Sequence, residues 1–130
     1  MNEYEVVGKS FTRPDGLSKV TGEARYAADL LRGCCEVYVY RSRIAHALIK
    51  KLDVAEARRS IGVVSVITAQ DIPGKNLLGD IVADHPVLAE TKIRYYGEPL
   101  ALVVATSRTE AVRAAEYIRI EVEELPPVFD

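Results

Sequence analysis

Tryptophan is missing from the 130 residues, methionine occurs once, and cysteine and histidine occur twice each. These scarcities exclude a good deal of chemistry. Two cysteines cannot complete a four-ligand zinc or iron–sulfur set. Cys34 and Cys35 are also adjacent, so in an extended segment their side chains leave on opposite faces, and they read as two small residues entering a strand. His46 and His85 form no His-Glu-x-x-His or comparable metal spacing, and His46, in Ala45-His46-Ala47 beside a strand, reads as structural. There is no G-x-S-x-G nucleophile elbow, no G-x-x-x-x-G-K-[ST] loop and no G-x-G-x-x-G fingerprint. Charge of one sign is lacking too: Lys plus Arg number 17 against 19 for Asp plus Glu. Without a basic field the chain cannot displace counterions from nucleic-acid phosphates. No apolar run approaches the roughly 20 residues that span a bilayer. The acidic start, Met1-Asn2-Glu3-Tyr4-Glu5, lacks the charged-then-apolar pattern of a secretory signal, so the expected compartment is the cytoplasm.

What is present is the material for one domain with a core: 48% hydrophobic and 28% charged residues, with no internal repeat. Residues 1–6 are expected to be flexible. Residues 13–22 read as irregular backbone, with Gly16 and Gly22 at turns. Cys35–Arg41 alternates β-branched and aromatic residues and predicts a strand; Ala47–Leu52 predicts another. Asp53 and Glu56 have the spacing of a capping box, which predicts a short helix over Val54–Arg59. Val63–Ile67 is apolar enough for a buried strand. Thr68 is expected to cap a further turn, with Asp71 near its positive end. Residues 74–86 read as the longest stretch without structure. Lys92–Tyr96 predicts a strand broken at Gly97-Glu98-Pro99, and Leu100–Ala105, almost wholly apolar, a central one.

Ser107 and Glu110 form a second capping box, opening a helix to about Tyr117 with Ala111, Ala114, Ala115 and Ile118 on one face. Ile118, Ile120 and Val122 then alternate with Arg119, Glu121 and Glu123, a half-exposed strand that Pro126-Pro127 ends. The expected class is therefore α+β, a mixed α/β domain of several short strands and two or three short helices. No residue is assigned as catalytic, cofactor-binding or metal-ligating. One cluster, Tyr95-Tyr96-Gly97-Glu98-Pro99, places aromatics, a glycine and a carboxylate at a chain break. It reads either as a surface facing a ligand or, in the reading the residues favour, as a bend between two strands with Glu98 exposed.

Nearly the whole chain follows the pattern of one family. Asp15-Gly16, Lys19-Val20-Thr21-Gly22, Ala24, Tyr26 and Asp29 resemble the opening of the large subunit of molybdenum hydroxylases, the xanthine dehydrogenase and aldehyde oxidase family. Arg41-Ser42 with Ala45-His46-Ala47 is similar to its next block, although Arg43 stands where the family has proline. Gly62-Val63, Val66, Thr68-Ala69 and Asp71 through Asn76 resemble a third. Pro86 through Ala89, Arg94-Tyr95, Gly97-Glu98-Pro99, Ala101 and Val103 through Ala105 resemble a fourth, and Ile120 through Pro126 the last.

The resemblance implies a single α/β-hammerhead domain over residues 1–130, non-catalytic, forming a fragment of a much longer molybdopterin-binding subunit. It implies an intact enzyme, xanthine dehydrogenase first among its kinds, that oxidises purines, aldehydes or N-heterocycles with water-derived oxygen. Molybdopterin-bound molybdenum, iron–sulfur clusters and FAD are implied for that enzyme, and no cofactor for this chain. The implied partners are the molybdopterin-binding domains of the same subunit and separate iron–sulfur and FAD subunits; neither nucleic acid nor membrane is among them. For a domain packed on those partners, Tyr95, Tyr96, Gly97, Glu98 and Pro99 are the expected inter-domain contact, because the rings and the chain reversal suit an interface more than open water. The alternative is a stand-alone binding or interaction module without activity.

Overall fold

The computed structural model describes residues 5–31 and 33–129; the expectation of flexibility for residues 1–6 falls, at residues 1–4, outside the described residues. Contacts divide the chain into two compact units, Met1–Cys34 and Cys35–Asp130.

In the first unit the stretch expected to be irregular contains a helix, α1 (Gly16–Val20). Its two glycines bracket the helix instead of interrupting it. Gly16 is its first residue, and Gly22, at φ +77°, turns the chain after it. Asp15 explains why the helix starts there. Its carbonyl accepts from the Lys19 N–H at 3.3 Å and the Ser18 hydroxyl at 3.1 Å, and its carboxylate pairs with Lys19 across one turn. A second helix, α2 (Ala27–Leu30), was not anticipated; Asp29 reaches back to the Tyr26 N–H at 2.8 Å and closes its first turn. Neither helix buries a residue.

The second unit holds two three-stranded antiparallel sheets. In the first, β7 (Pro99–Ala105) lies between β1 (Glu36–Arg41) and β3 (Val63–Thr68). In the other, β2 (Ala47–Asp53) lies between β6 (Lys92–Ile93) and β8 (Arg119–Glu124). The expected central position of Leu100–Ala105 is thus correct. The expected burial of Val63–Ile67 is not: β3 is an edge strand, and of its residues only Val66 is buried while Val64 and Ser65 are exposed. An apolar run is equally compatible with a strand in contact on one face, and the ladder to β7 shifts register between Val63 and Ser65.

The short helix after β2, α3, runs only over Ala55–Arg58. Val54 occupies the cap position, so the capping box expected from Asp53 and Glu56 does not form; Asp53 Oδ1 accepts the Ala55 N–H at 3.0 Å instead. The turn expected after Thr68 is a 3₁₀ turn, Ala69–Asp71, with Thr68 at its cap as expected and Asp71 reaching back to it. Asp71 accepts both the N–H and the hydroxyl of Thr68, each at 2.8 Å. The loop expected over residues 74–86 carries a small ladder, β4 (Leu77–Leu78) against β5 (His85–Pro86). Below it the Asn76 amide donates to the Leu88 carbonyl at 2.7 Å and accepts the Leu88 N–H at 3.0 Å.

The helix α4 (Arg108–Ala115) lies where the alanine face predicted. Ala111 and Ala114 are fully buried, and Ala115 and Ile118 nearly so, packed with Ala101, Val103 and Ala105 of β7. Small side chains on both elements let the helix lie close on the sheet. Ser107 caps it, its Oγ accepting the Glu110 N–H at 3.3 Å. The return arm of the box runs mainly through hydroxyls: Glu110 Oε2 accepts from Thr106 and Ser107. That carboxylate lies over Gly62, whose φ of +79° favours glycine, and a Cβ there would push the Glu110 carboxylate aside. Ser107→Ala is expected to lower stability by about 0.5–2 kcal/mol, read from denaturant midpoints at unchanged slope.

A second cluster, Ala47, Ala89, Ile93 and Leu100, packs with Ile49, Ile120 and Val122. Ile120 and Val122 face it while Arg119, Glu121 and Glu123 are exposed, as their alternation predicted.

Candidate functional site

The segment singled out in the sequence, Tyr95–Pro99, is a tight turn between β6 and β7. Gly97, at φ +88°, supplies the left-handed residue, and the Glu98 N–H donates to the Tyr95 carbonyl at 3.3 Å. The strand expected over Lys92–Tyr96 stops at Ile93, because the chain must begin to reverse by Tyr95.

Glu98 departs most from expectation. Its side chain is 0% exposed, whereas the sequence placed it in solvent. One carboxylate oxygen accepts the Arg94 backbone N–H at 2.5 Å, and the other faces the Arg94 guanidinium at 3.5 Å. The buried carboxylate is thus satisfied by a backbone donor across the turn, in the place a strand partner would take. It points inward and contributes no surface.

A second strap holds the turn from outside. The Gly97 N–H donates to the Ser42 carbonyl and the Ser42 N–H to the Glu98 carbonyl, both at 2.9 Å. Arg41 Nη1 donates to the Gly97 carbonyl, also at 2.9 Å. Ser42, 4% exposed, fixes its own loop by donating to the Ile44 carbonyl and accepting the Ile44 N–H. Two sequence blocks 56 residues apart, Arg41-Ser42 and Gly97-Glu98-Pro99, are thus bonded to each other. Both blocks stand out in the sequence, but nothing local in either shows that they meet. Two other blocks close on these: the Ala89 N–H donates to the Pro99 carbonyl at 2.8 Å, and His46 Nδ1 lies 2.8 Å from the Pro126 carbonyl. The structural reading of His46 accordingly has a specific form, a pin on the segment that leaves β8.

Outward, the turn presents Tyr95 and Tyr96, the latter 69% exposed. Together with His46, Arg94, Val128 and Phe129 they line an open cleft. His85 stacks on Tyr95, with ring centroids 6.1 Å apart and planes 14° from parallel. The cleft is aromatic and aliphatic with one cation at its rim, chemistry suited to covering by an apolar surface and without an acid–base pair. The carboxylates held below their ordinary values lie elsewhere. Asp71 is lowered by the Thr68 hydrogen bonds, Glu110 by the Thr106 and Ser107 hydroxyls, and Asp53 by the Ala55 N–H. Those three stand at or beside helix starts, while Asp15 is lowered by its bonds to Arg13 and Lys19 and Glu123, on β8, by Lys50.

The fold is a small mixed α/β hammerhead. Residues 21–126 match the family described as "Aldehyde oxidase and xanthine dehydrogenase, a/b hammerhead domain", and the chain belongs to that family. It is 40% identical over 128 residues to the nicotinate dehydrogenase large molybdopterin subunit of Eubacterium barkeri, covering 98% of this chain and 30% of that one. The aldehyde oxidoreductase of Desulfovibrio desulfuricans superposes with a TM-score of 0.81 at 34% identity, over 92% of this chain and 15% of the solved one. For the CO dehydrogenase of Oligotropha carboxidovorans the TM-score is 0.85 at 31% identity, over 95% and 16%. The chain therefore spans less than a third of the length of these relatives.

The relatives are molybdenum enzymes by name, which implies molybdopterin for the intact enzyme. The residues of this chain do not fit that group. Among the described residues no three His, Cys, Asp or Glu side chains gather at one point, and no buried side-chain nitrogen or oxygen is left without a partner. Among the described residues no buried side-chain donor or acceptor is left for a pterin or a metal, and no chemical step is assigned to the chain.

Proposed function

We propose that this chain is the non-catalytic, amino-terminal structural domain of a molybdenum-dependent hydroxylase, xanthine dehydrogenase first among the candidates. The intact enzyme oxidises purines, aldehydes or N-heterocycles with oxygen derived from water. Its molybdopterin lies in later domains of the same subunit, and its iron–sulfur clusters and FAD lie in partner subunits. The compartment is the cytoplasm. The observation that carries this reading is the family match over residues 21–126 in a chain that covers 30% or less of the length of its relatives.

The domain's contribution is then positional. Glu98 from within, and Ser42 and Arg41 from outside, hold the backbone of the Tyr95–Gly97 turn, and two tyrosine rings stand out from it. Rigid, amphipathic rings lose little conformational entropy when covered, which suits them to an inter-domain contact. Tyr95 and Tyr96 make that contact; Gly97 shapes it, Glu98 braces it from the interior, and Pro99 begins the strand behind it.

The test compares Tyr96→Ala in two settings. In the isolated chain the exposed ring contributes little to folding, and the melting temperature should stay within the range of a neutral surface substitution, about 0.5 kcal/mol. In the intact subunit the same change should lower molybdenum content per protein and thermal stability together. Unchanged molybdenum loading and unchanged melting of the intact enzyme would remove the contact from this face.

A further inference from the structure

Two guanidinium groups and one carboxylate belong to the Tyr95–Pro99 turn and the cleft beside it. Arg41 is bonded to the turn through the Gly97 carbonyl, and Arg94 lines the cleft. The carboxylate is Glu98, which is fully buried. Among the described residues no other carboxylate lines the cleft, whose remaining wall is aromatic or aliphatic apart from His46. The charge that this face shows to solvent is therefore positive, on a chain whose 19 Asp and Glu outnumber its 17 Lys and Arg.

A guanidinium carries five N–H donors in a fixed fork. Arg94 Nη1 donates to the Lys92 carbonyl at 3.1 Å and faces Glu98 Oε1 at 3.5 Å. Among the described residues no acceptor bonds Arg94 Nε or Nη2. Those two nitrogens form one edge of the fork, and their two parallel N–H groups match the two oxygens of a carboxylate. The side chain is 45% exposed, so water serves that edge in the isolated chain.

We propose that the surface covering the Tyr95–Tyr96 cleft carries an Asp or Glu carboxylate that binds the free edge of Arg94, and that this surface belongs to the molybdopterin-binding domains of the same subunit. The inference rests on the reading of the turn as an inter-domain contact. A surface that covers two tyrosine rings also strips water from the cation at the rim of their cleft. A guanidinium whose donors are left unpaired under an apolar cover is costly, so the cover supplies the acceptor. Glu98 cannot serve that edge, because one of its oxygens takes the Arg94 N–H at 2.5 Å and the other faces Nη1. The balance of charge agrees. Arg41 and Arg94 against Glu98 leave one positive charge over, and one further carboxylate makes the covered site neutral.

The intact subunit is the material for the test. Arg94→Lys puts a primary amine at the cleft, and a water-soluble carbodiimide joins an amine to a carboxylate in contact with it, forming an amide while the reagent takes up the water. The expected product is an amide from residue 94 to an Asp or Glu of the later domains, mapped by peptide mass spectrometry. The parent gives no such link at residue 94, since a guanidinium does not react. Molybdenum content per subunit should fall in Arg94→Met and stay near the parental level in Arg94→Lys. The isolated chain should melt alike in all three, because its Arg94 edge is served by water. A link from residue 94 only to Glu98 or Asp130 would overturn the proposal, and so would a link to a separate subunit. No link, with Tyr96→Ala still lowering molybdenum content, would leave the contact standing and strike out its carboxylate. No link, with Tyr96→Ala also silent, would remove the contact and the proposal with it.

Discussion

Glu98→Ala should destabilise the unit containing both sheets by about 2–4 kcal/mol. Two losses combine. The Arg94 N–H loses its acceptor at the turn, and a fully buried side chain leaves a void behind it. The Arg94 guanidinium contributes little to the sum, since its side chain is 45% exposed and regains water. Glu98→Gln separates the two terms. It keeps the volume and one oxygen acceptor for the Arg94 N–H, and should recover most of the stability, leaving a deficit of about 1 kcal/mol. Urea unfolding followed by circular dichroism reads both values. A Gln variant as unstable as the Ala variant would mean that the negative charge, and not the hydrogen bond, holds the turn.

Ala114→Glu should have the largest effect of any single change considered, at least about 4 kcal/mol, a large part of the stability of a domain this size. Ala114 is 0% exposed, and its methyl group belongs to the cluster that includes Ala101, Val103 and Ala105. A glutamate there must either desolvate its charge or lift α4 off the sheet, and α4 contacts all three strands of that sheet. The chain should then fail to give a cooperative thermal transition. Ala114→Ser, which adds one small polar atom, should fold and melt lower than the parent. A cooperative melt of Ala114→Glu at the parental temperature would place this helix face in solvent.

How far the sequence could be read depended on where each signal lies. The helix α4 was legible because its evidence is local: alanines at helical spacing, and a serine with a glutamate three residues on. The strand β7 was legible because an apolar heptad flanked by turn residues has few other uses. The helix α1 is not legible, because a glycine at the first helical residue gives the same local signal as a glycine in a turn. The two-residue ladder of Leu77-Leu78 with His85-Pro86 was missed because pairing across a loop has no periodicity to detect.

At the candidate site the aromatic turn was visible and its support was not. Burial of Glu98 depends on a donor that belongs to the backbone of Arg94, and no residue type announces a backbone group in need of a partner. Likewise, Ser42 reads as an ordinary polar residue until the turn 55 residues later is folded against it. Arg58 and Asp71 lie 13 residues apart, and only the path of β3 between them makes them an ion pair.

The middle strand of the first sheet has a consequence for how the unit fails. Leu100 enters one cluster of buried residues, and Ala101, Val103 and Ala105 enter the other, so consecutive residues of one strand belong to both. Neither cluster can open while β7 stays whole, and neither can keep β7 in place alone. The two sheets therefore share one melting event, and damage near the aromatic turn at one end of the strand is felt beneath α4 at the other.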